Sequence, residues 1–310
     1  MTLNPRIIQD RVLRALAANR APGFHFPGYF LELTWPHVGP DSISHAMTVG
    51  PHCLDAKGVI APPALGVVID GALATAPRLV IEPGGRQATV HLDIQYTGLE
   101  PRKDLYMEAT LEGFFAADSA RQAITRGALK SGGETIAHAT GTFMVLPPPE
   151  GVKLAPLPWQ QGDVRPQPLE MSELEEKERA VVRAAQAALS SHDGVHTFFE
   201  RFVGIEPRHT ATGATCRVAI GYQIGNRVGH VQGGILLGLA QATAAAAVPR
   251  HPAISNISAW YISPGRGESL TATSKVIHAG RSLAVVRTEI RNADGSLVLE
   301  AVSNHASKKA

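Results

Sequence analysis

The same succession of segments occurs twice in this chain, and that repeat constrains the fold more than any other feature. In the first half, LDAKGVIAPPALGVVIDGALATAPR reads as a loop entering an apolar helix, with Pro62 and Pro63 suited to a first turn. QATVHLDIQYTG, DLYMEATLEGFF, RQAITRGALKS and ETIAHATGTFMVL follow with strand character, a Gly132–Gly133 turn separating the last two. In the second half, NRVGHVQGGILLGLAQ starts polar, passes through Gly233–Gly234 and runs on as an Ala-rich apolar helix towards Pro249. SNISAWYIS, SLTATSKVIHA, RSLAVVRTEIRN and SLVLEAVSNHASK then answer the four strands of the first half. VIAPPALGVVID falls on HVQGGILLGLAQ, Tyr96 falls on Tyr261, and Arg126 falls on Arg287. A repeat of roughly 150 residues is too long for a solenoid unit and implies two copies of one domain. Each copy has one long buried helix, four antiparallel strands after it and a strand or two ahead of it. An antiparallel sheet has one face to bury, and the helix supplies the surface for it. The fold class is therefore α+β.

The flanking segments divide the chain. MTLNPRIIQDRVLRALAANR carries Ile7, Ile8, Val12, Leu13 and Leu16 at helical spacing and reads as an amphipathic helix. APGFHFPGYFLELTWPHVGPDSISHAMTV suggests strands and loops. PPPEGVKLAPLPWQQGDVRPQPLEM is proline-rich without periodicity and reads as a linker. SELEEKERAVVRAAQAALSS follows as a helix, with Ser172 and Glu175 as its expected capping box. HTFFERFVGIEP and ATCRVAIGY read as strands. The division is an N-terminal domain with its leading helix over 1–147, a linker over 148–170 and a C-terminal domain with its leading helix over 171–310.

Composition excludes several classes. A formal net charge of +2 in 310 residues gives no electrostatic case for nucleic acid or an acidic membrane surface. No run is long and apolar enough to span a bilayer, and the N-terminus has no signal-peptide core, so a cytoplasmic location is expected. Cys53 and Cys216 form no disulfide framework. No His/Cys cluster has zinc spacing, and no Walker or dinucleotide glycine motif is present. No metal or cofactor is expected.

The Gly233–Gly234 pair has two readings, a glycine-softened start to a core helix or a backbone site that faces a ligand. Glycine lets backbone approach a ligand closely. The first N–H groups of a helix lack partners within it, and they lie at the positive end of its dipole. That is a place for a carbonyl oxygen or an anion.

This order of elements, with N-x5-Q-G-G, YISPGRGE, HAGRSLAVVRTEI and NADGSLVLEA in the second half, resembles the hotdog-fold acyl-CoA thioesterases of the phenylacetate-pathway type. The resemblance covers roughly both repeat units and is stronger in the second. It implies two fused hotdog domains, each an antiparallel sheet wrapped around a long central helix. It also implies an acyl-CoA substrate, hydrolysed to free acid and CoA, and a homo-oligomer of the fused unit.

In such families a polar residue lies six positions before a His or Gln that precedes Gly-Gly, and a carboxylate lies nine positions after it. The second half has Asn226, Gln232, Gly233 and Gly234, but Gln241 at the carboxylate position. The first half has Asp70, but Asp55, Ala61, Pro62 and Pro63 in the loop. Thr89 stands where the family places a hydroxyl near the carboxylate, and its counterpart is Ile254. The losses are complementary, so the resemblance implies one composite site. Asp70 would be base or nucleophile, the Gly233 N–H and the Asn226 amide would hold the carbonyl oxygen, and Gln232 and Thr89 would assist. His230, Gly234, Arg266, His278 and Arg281 would bind substrate or coenzyme. Asp55 is expected in a turn, His305 and Lys308–Lys309 in solvent, and Trp35 and Trp159 in local packing. Two alternatives stand beside this reading. One is a hydratase or dehydratase using Asp41 and His45, and the other is a non-catalytic acyl-CoA binder.

Overall fold

The computed structural model describes residues 3–21, 24–81, 85–117, 120–147, 156–161, 166–191 and 194–307. Helix α1 (Pro5–Asn19) is capped by Asn4, whose side chain accepts from the Arg6 N–H, and it buries Ile8, Val12, Leu13 and Leu16 as one stripe. A short helix α2 (Phe26–Phe30) and strand β1 (Ser42–Met47) lead to the central helix α3 (Pro62–Thr75). Strands β2 (Arg86–Tyr96), β3 (Leu105–Ala117), β4 (Ala120–Ser131) and β5 (Glu134–Leu146) complete the first half. Helices α4 (Pro158–Gln161), α5 (Glu176–Ser190) and α6 (Phe198–Val203) come next. The second half then has β6 (Arg208–Thr210), β7 (Gly213–Ala219), helix α7 (Gly233–Ala247), β8 (Ala253–Tyr261), β9 (Ser269–Ala279), β10 (Leu283–Asn292) and β11 (Leu297–Ala306).

All strands join one 11-stranded sheet in the order β1-β3-β4-β5-β2-β8-β11-β10-β9-β7-β6. Read outward from the β2–β8 seam, the two halves have the same order. The seam pairs Asp93 with Ser258. The spacing that puts Tyr96 on Tyr261 also puts Asp93 on Ser258, so a pseudo-two-fold axis passes through that pair. This is the expected α+β arrangement of two fused hotdog units.

Every side chain of α3 but Pro62 and Ala74 is buried, as is every residue of α7 but Gly233, Ala245 and Ala246. Helices apolar all round need cover all round. The sheet covers one side of each, and the other helix covers much of the rest. They touch backbone to backbone. A Cβ on Gly234 would collide with the Gly66 carbonyl oxygen, and one on Gly238 would collide with Pro63.

Four local expectations change. The stretch around Phe26 and HTFFERFVGIEP fold as helices α2 and α6 rather than strands or loop. Thr197 and Glu200 form a capping box on α6, and Gly204 ends it in the left-handed region at φ 78°. The phenylalanines of the two short helices stack, Phe30 on Phe199 at 5.7 Å and Phe26 near Phe202 at 6.2 Å, so tertiary burial overrides their β propensity. Helix α5 is capped by Glu175 with Glu178, not by Ser172 with Glu175, because Met171–Glu173 forms its own 3-10 turn first. His305 is fully buried, its Nε2 at 2.8 Å from the Ser303 hydroxyl, since β11 lies inside the sheet. Lys308 and Lys309 lie outside the described residues, as does part of the 148–170 segment. Trp159 of α4 packs on Trp35 at 5.3 Å, and Asp55 holds a turn by accepting from the Lys57 and Val59 N–H groups.

Candidate active site

Asp70 sits two-thirds along α3 and is 5% exposed. Helix α3 faces the start of α7, so the carboxylate of the first half meets the glycines of the second. Its Oδ1 accepts from the Thr89 hydroxyl at 2.9 Å, and its Oδ2 accepts from Gln232 Nε2 at 2.7 Å. The Gly234 N–H donates to it as well. Gln232 is also the N-cap of α7, its Oε1 accepting from the Ile235 N–H at 2.9 Å. A Cβ on Gly233 would lie 2.8 Å from both carboxylate oxygens, so only glycine leaves room there. The Gly233 carbonyl accepts from the Tyr261 hydroxyl at 2.9 Å. Among the described residues the Gly233 N–H takes no partner.

Burial pushes the Asp70 carboxyl up to about 6, against the pull of Thr89 and the Gly234 N–H. The positive end of α7 lies beside the carboxylate and favours its charge. At neutral pH it is mostly ionised. Burial, then the Asp70 charge, raises the Tyr261 phenol well above its ordinary value, which keeps it neutral and donating.

A cavity of about 370 Å³ opens at this carboxylate, lined by Asp70, Thr89, Gln232, Gly233, Asn226 and Tyr261 among others, and so by both halves. Arg78, Arg86 and Arg227 also line it. Arg78 is pushed down to about 9 by burial and by the neighbouring Arg227, and still carries its charge at neutral pH. His230 lines the cavity too and is lowered by burial, Arg266 and Arg86.

Residues 224–306 match the family model described as the acyl-CoA thioesterase N-terminal domain. This stretch, about a quarter of the chain, is similar to that family's domain. Comparison with curated proteins gave no match. Among solved structures, a putative oleoyl thioesterase from Lactobacillus plantarum is similar over 87% of this chain and 96% of its own, at 12% identity and a TM-score of 0.52. The 12:0-ACP thioesterase from Umbellularia californica is similar over 86% and 94%, at 10% identity and a TM-score of 0.54. A hot dog fold protein of unknown function from Alicyclobacillus acidocaldarius is similar over 89% and 96%, at 9% identity and a TM-score of 0.51. These likenesses extend the hotdog fold over both halves of the chain.

Within this thioesterase-type domain, Gln232, Gly233 and Gly234 meet the Asp70 and Thr89 of the other half. Asn226 has a different first task from the one expected. Its Oδ1 accepts from the Val228 and His230 N–H groups, both at 3.0 Å, and so shapes the 226–230 loop. Its Nδ2 is the end left to donate into the cavity. Arg266 influences His230 from beside the cavity, its own N–H bound by Asn292 at 2.9 Å.

His278 and Arg281 are not brought to this site. Leu283, next to their turn, pairs with Ala306, which pairs with Ala253, whereas Tyr261 pairs with Leu299. The eight residue steps from Ala253 to Tyr261 set the turn at the other end of the strands, about 27 Å away along the chain. Arginines 78, 86 and 227 were missed in the sequence. Only the contact between halves gathers them.

The hydratase pair is not assembled either. Asp41 is exposed, His45 is fully buried and accepts from Trp35 Nε1 at 2.9 Å, and four extended residue steps set them about 13 Å apart. Among the described residues no cluster of three His, Cys, Asp or Glu is placed to hold a metal ion, and no helix is long and apolar enough to cross a membrane.

Proposed function

We propose that the chain hydrolyses acyl-CoA thioesters at one composite site between its two hotdog halves. The observation that carries this reading is the Asp70 carboxylate of α3, held by Gln232 and Thr89 beside the uncommitted N–H of Gly233 at the start of α7. In this reading the thioester carbonyl oxygen accepts from the Gly233 N–H, where the α7 dipole stabilises developing negative charge. One well-aimed donor of this kind is worth about 3–4 kcal/mol in the transition state.

Asp70 takes a proton from water as the water oxygen bonds to the carbonyl carbon. The tetrahedral intermediate collapses, the carbon–sulfur bond breaks, and the CoA thiolate leaves and is protonated. Three donors on one carboxylate disperse its charge and make it a poor nucleophile, while a pKa near 6 suits a general base, so base catalysis is favoured over direct attack. Arg86 and Arg227 supply charge for the coenzyme phosphates.

The test is release of free thiol from short, medium, long and aryl acyl-CoAs by the wild type and by Asp70→Asn. Turnover that disappears in the variant supports the reading. Absence of turnover on every chain sinks it.

A further inference from the structure

Each half sets a tyrosine against the central helix of the other, and the two contacts differ. Tyr96 and Tyr261 are pseudo-two-fold mates, and so are Gln241 and Asp70. On one side of the axis Gln241 Nε2 donates to the Tyr96 hydroxyl oxygen. On the other side Asp70 stands where that amide would be, and an ionised carboxylate has nothing to donate. Tyr261 does not supply the hydrogen either, because it gives its own to the Gly233 carbonyl at 2.9 Å. The Tyr261 oxygen and the Asp70 carboxylate are therefore two acceptors facing one another across the cavity that both line. Burial first, then the Asp70 charge, raises the Tyr261 phenol, as a facing carboxylate does.

The capacity of the carboxylate points the same way. An ionised carboxylate has about four acceptor sites. Thr89, Gln232 and the Gly234 N–H take three of them on Asp70. One is left, and a water held by a single hydrogen bond is free to turn. Two acceptors are joined by a molecule with two hydrogens on one atom, and water is the reactant that has them. Thr89 is not placed to be the second acceptor. Its oxygen is 2.9 Å from Oδ1, whereas the two acceptors of one water stand about 4.5 Å apart.

Resting on the thioesterase reading above, we propose that Tyr261 is a further catalytic residue, its oxygen and Asp70 each accepting one hydrogen of the attacking water and so turning the water's lone pair onto the thioester carbonyl carbon. Asp70 takes its hydrogen as a proton while the oxygen–carbon bond forms. That proton passes to the CoA thiolate after the carbon–sulfur bond breaks. The hydrogen on Tyr261 stays with the water oxygen and leaves in the acid. Tyr261 also grips the carbonyl of Gly233, the residue whose N–H holds the oxyanion, so one residue sets the water and the oxyanion donor together.

The experiment runs the reaction in water–methanol mixtures and measures the ratio of methyl ester to free acid. Methanol carries one hydrogen on its oxygen, so it meets Asp70 but not Tyr261 as well. Its oxygen bonds to the carbonyl carbon, Asp70 takes the proton, and the thiolate leaves and is protonated as before. Tyr261→Phe keeps the ring and removes the oxygen. It is expected to lower kcat for hydrolysis about tenfold, with KM within about twofold of the wild type. It is also expected to raise the ester-to-acid ratio about fivefold, the worth of one hydrogen bond. A merely structural loss slows both nucleophiles alike and leaves the ratio unmoved. Tyr96→Phe, at the mate position, is expected to change neither kcat per folded molecule nor the ratio. An unmoved ratio or an unchanged kcat in Tyr261→Phe overturns the proposal. If no thioester turns over, the thioesterase reading falls by itself. In that case, or where neither protein forms ester, a crystal structure decides. A water within hydrogen-bond distance of both Tyr261 and Asp70 supports the shared placement. A direct Tyr261–Asp70 hydrogen bond, or no such water, overturns it.

Discussion

The Asp70 carboxylate of the first half and the Gln232 amide of the second meet at 2.7 Å, and the same glutamine caps the helix whose N-terminus faces the carboxylate. Starting α7 and aiming the carboxylate are one arrangement. Gln232→Ala removes the cap, at a cost of about 1 kcal/mol, and should lower kcat by about tenfold or more. Gln232→Glu keeps an oxygen for the Ile235 N–H but sets two carboxylates together, and both cannot ionise freely. Its pH–rate profile is expected to rise at least one pH unit higher than that of the wild type. An unmoved profile in Gln232→Glu would break the link between the two residues.

Activity should follow the ionisation of Asp70. Its carboxyl is pushed up to about 6, and the base form is the deprotonated one. The rate is therefore expected to fall tenfold per pH unit below about pH 6 and to level off above it. Stability runs the other way. A carboxyl whose folded pKa lies above its unfolded value of 3.8 stabilises the fold fully below that value, and the contribution is lost as pH rises through about 6. The difference is about 3 kcal/mol at most. Urea unfolding of wild type and Asp70→Asn between pH 4 and 7 should show the wild type losing ground to the variant as pH rises.

Gly233 and Gly234 are adjacent, yet substitution should separate them. A Cβ on Gly233 points at the Asp70 oxygens, and one on Gly234 points into the backbone of α3. Gly233→Ala is expected to stay folded and lose activity by displacing the carboxylate. Gly234→Ala must push two buried helices apart, a cost of more than about 3 kcal/mol. Thermal unfolding beside thiol release distinguishes the two, and a stable, active Gly234→Ala would contradict the contact.

The central helices and the long strands were legible because their apolar patterns are long and occur twice. Asp70, Thr89 and Gln232 were singled out by the family resemblance, and the structure brings the three side chains together. The short helices α2 and α6 were not legible. Phenylalanine-rich segments of five or six residues carry too little periodicity, and the decisive signal was the capping box of Thr197 and Glu200. His278 and Arg281 were misplaced because sequence position does not say at which end of a sheet a turn falls. Pairing register does, and it is a property of both halves together.

The arginine rim should act on the coenzyme alone. Arg86→Ala and Arg227→Ala are expected to raise KM for acyl-CoA several-fold with little change in kcat, and to leave a short pantetheine thioester unaffected. Arg281→Ala, at the far end of the sheet, should change neither. The turn corresponding to it near Asp70 is that of β3 and β4, where Arg121 lies 3.7 Å over the Phe114 ring, and Arg121→Ala is expected to join the first group. Equal effects on the coenzyme and pantetheine thioesters would remove the rim from coenzyme binding.

The pseudo-two-fold partner of the Asp70 site holds Gln241 and Tyr96. Gln241 is 2% exposed, and its Nε2 donates to the Tyr96 hydroxyl. Across the axis, Tyr261 instead donates to Gly233 beside Asp70. The loop facing Gln241 has Ala61 at the N-cap and Pro62 after it, so it has neither a side-chain cap nor an N–H at the position of Gly233. With Gln241 at the carboxylate position and no N–H at Pro62, this half of the symmetry is expected to serve packing. Gln241→Ala opens a buried gap and leaves the Tyr96 hydroxyl without its partner, at a cost of about 1–3 kcal/mol. Turnover per folded molecule should stay within about twofold of the wild type, because no part of the Asp70 arrangement is touched. Thiol release measured against the folded fraction at each temperature separates the two effects, and a large loss of turnover in folded Gln241→Ala would mean that the two ends of the helix pair are coupled.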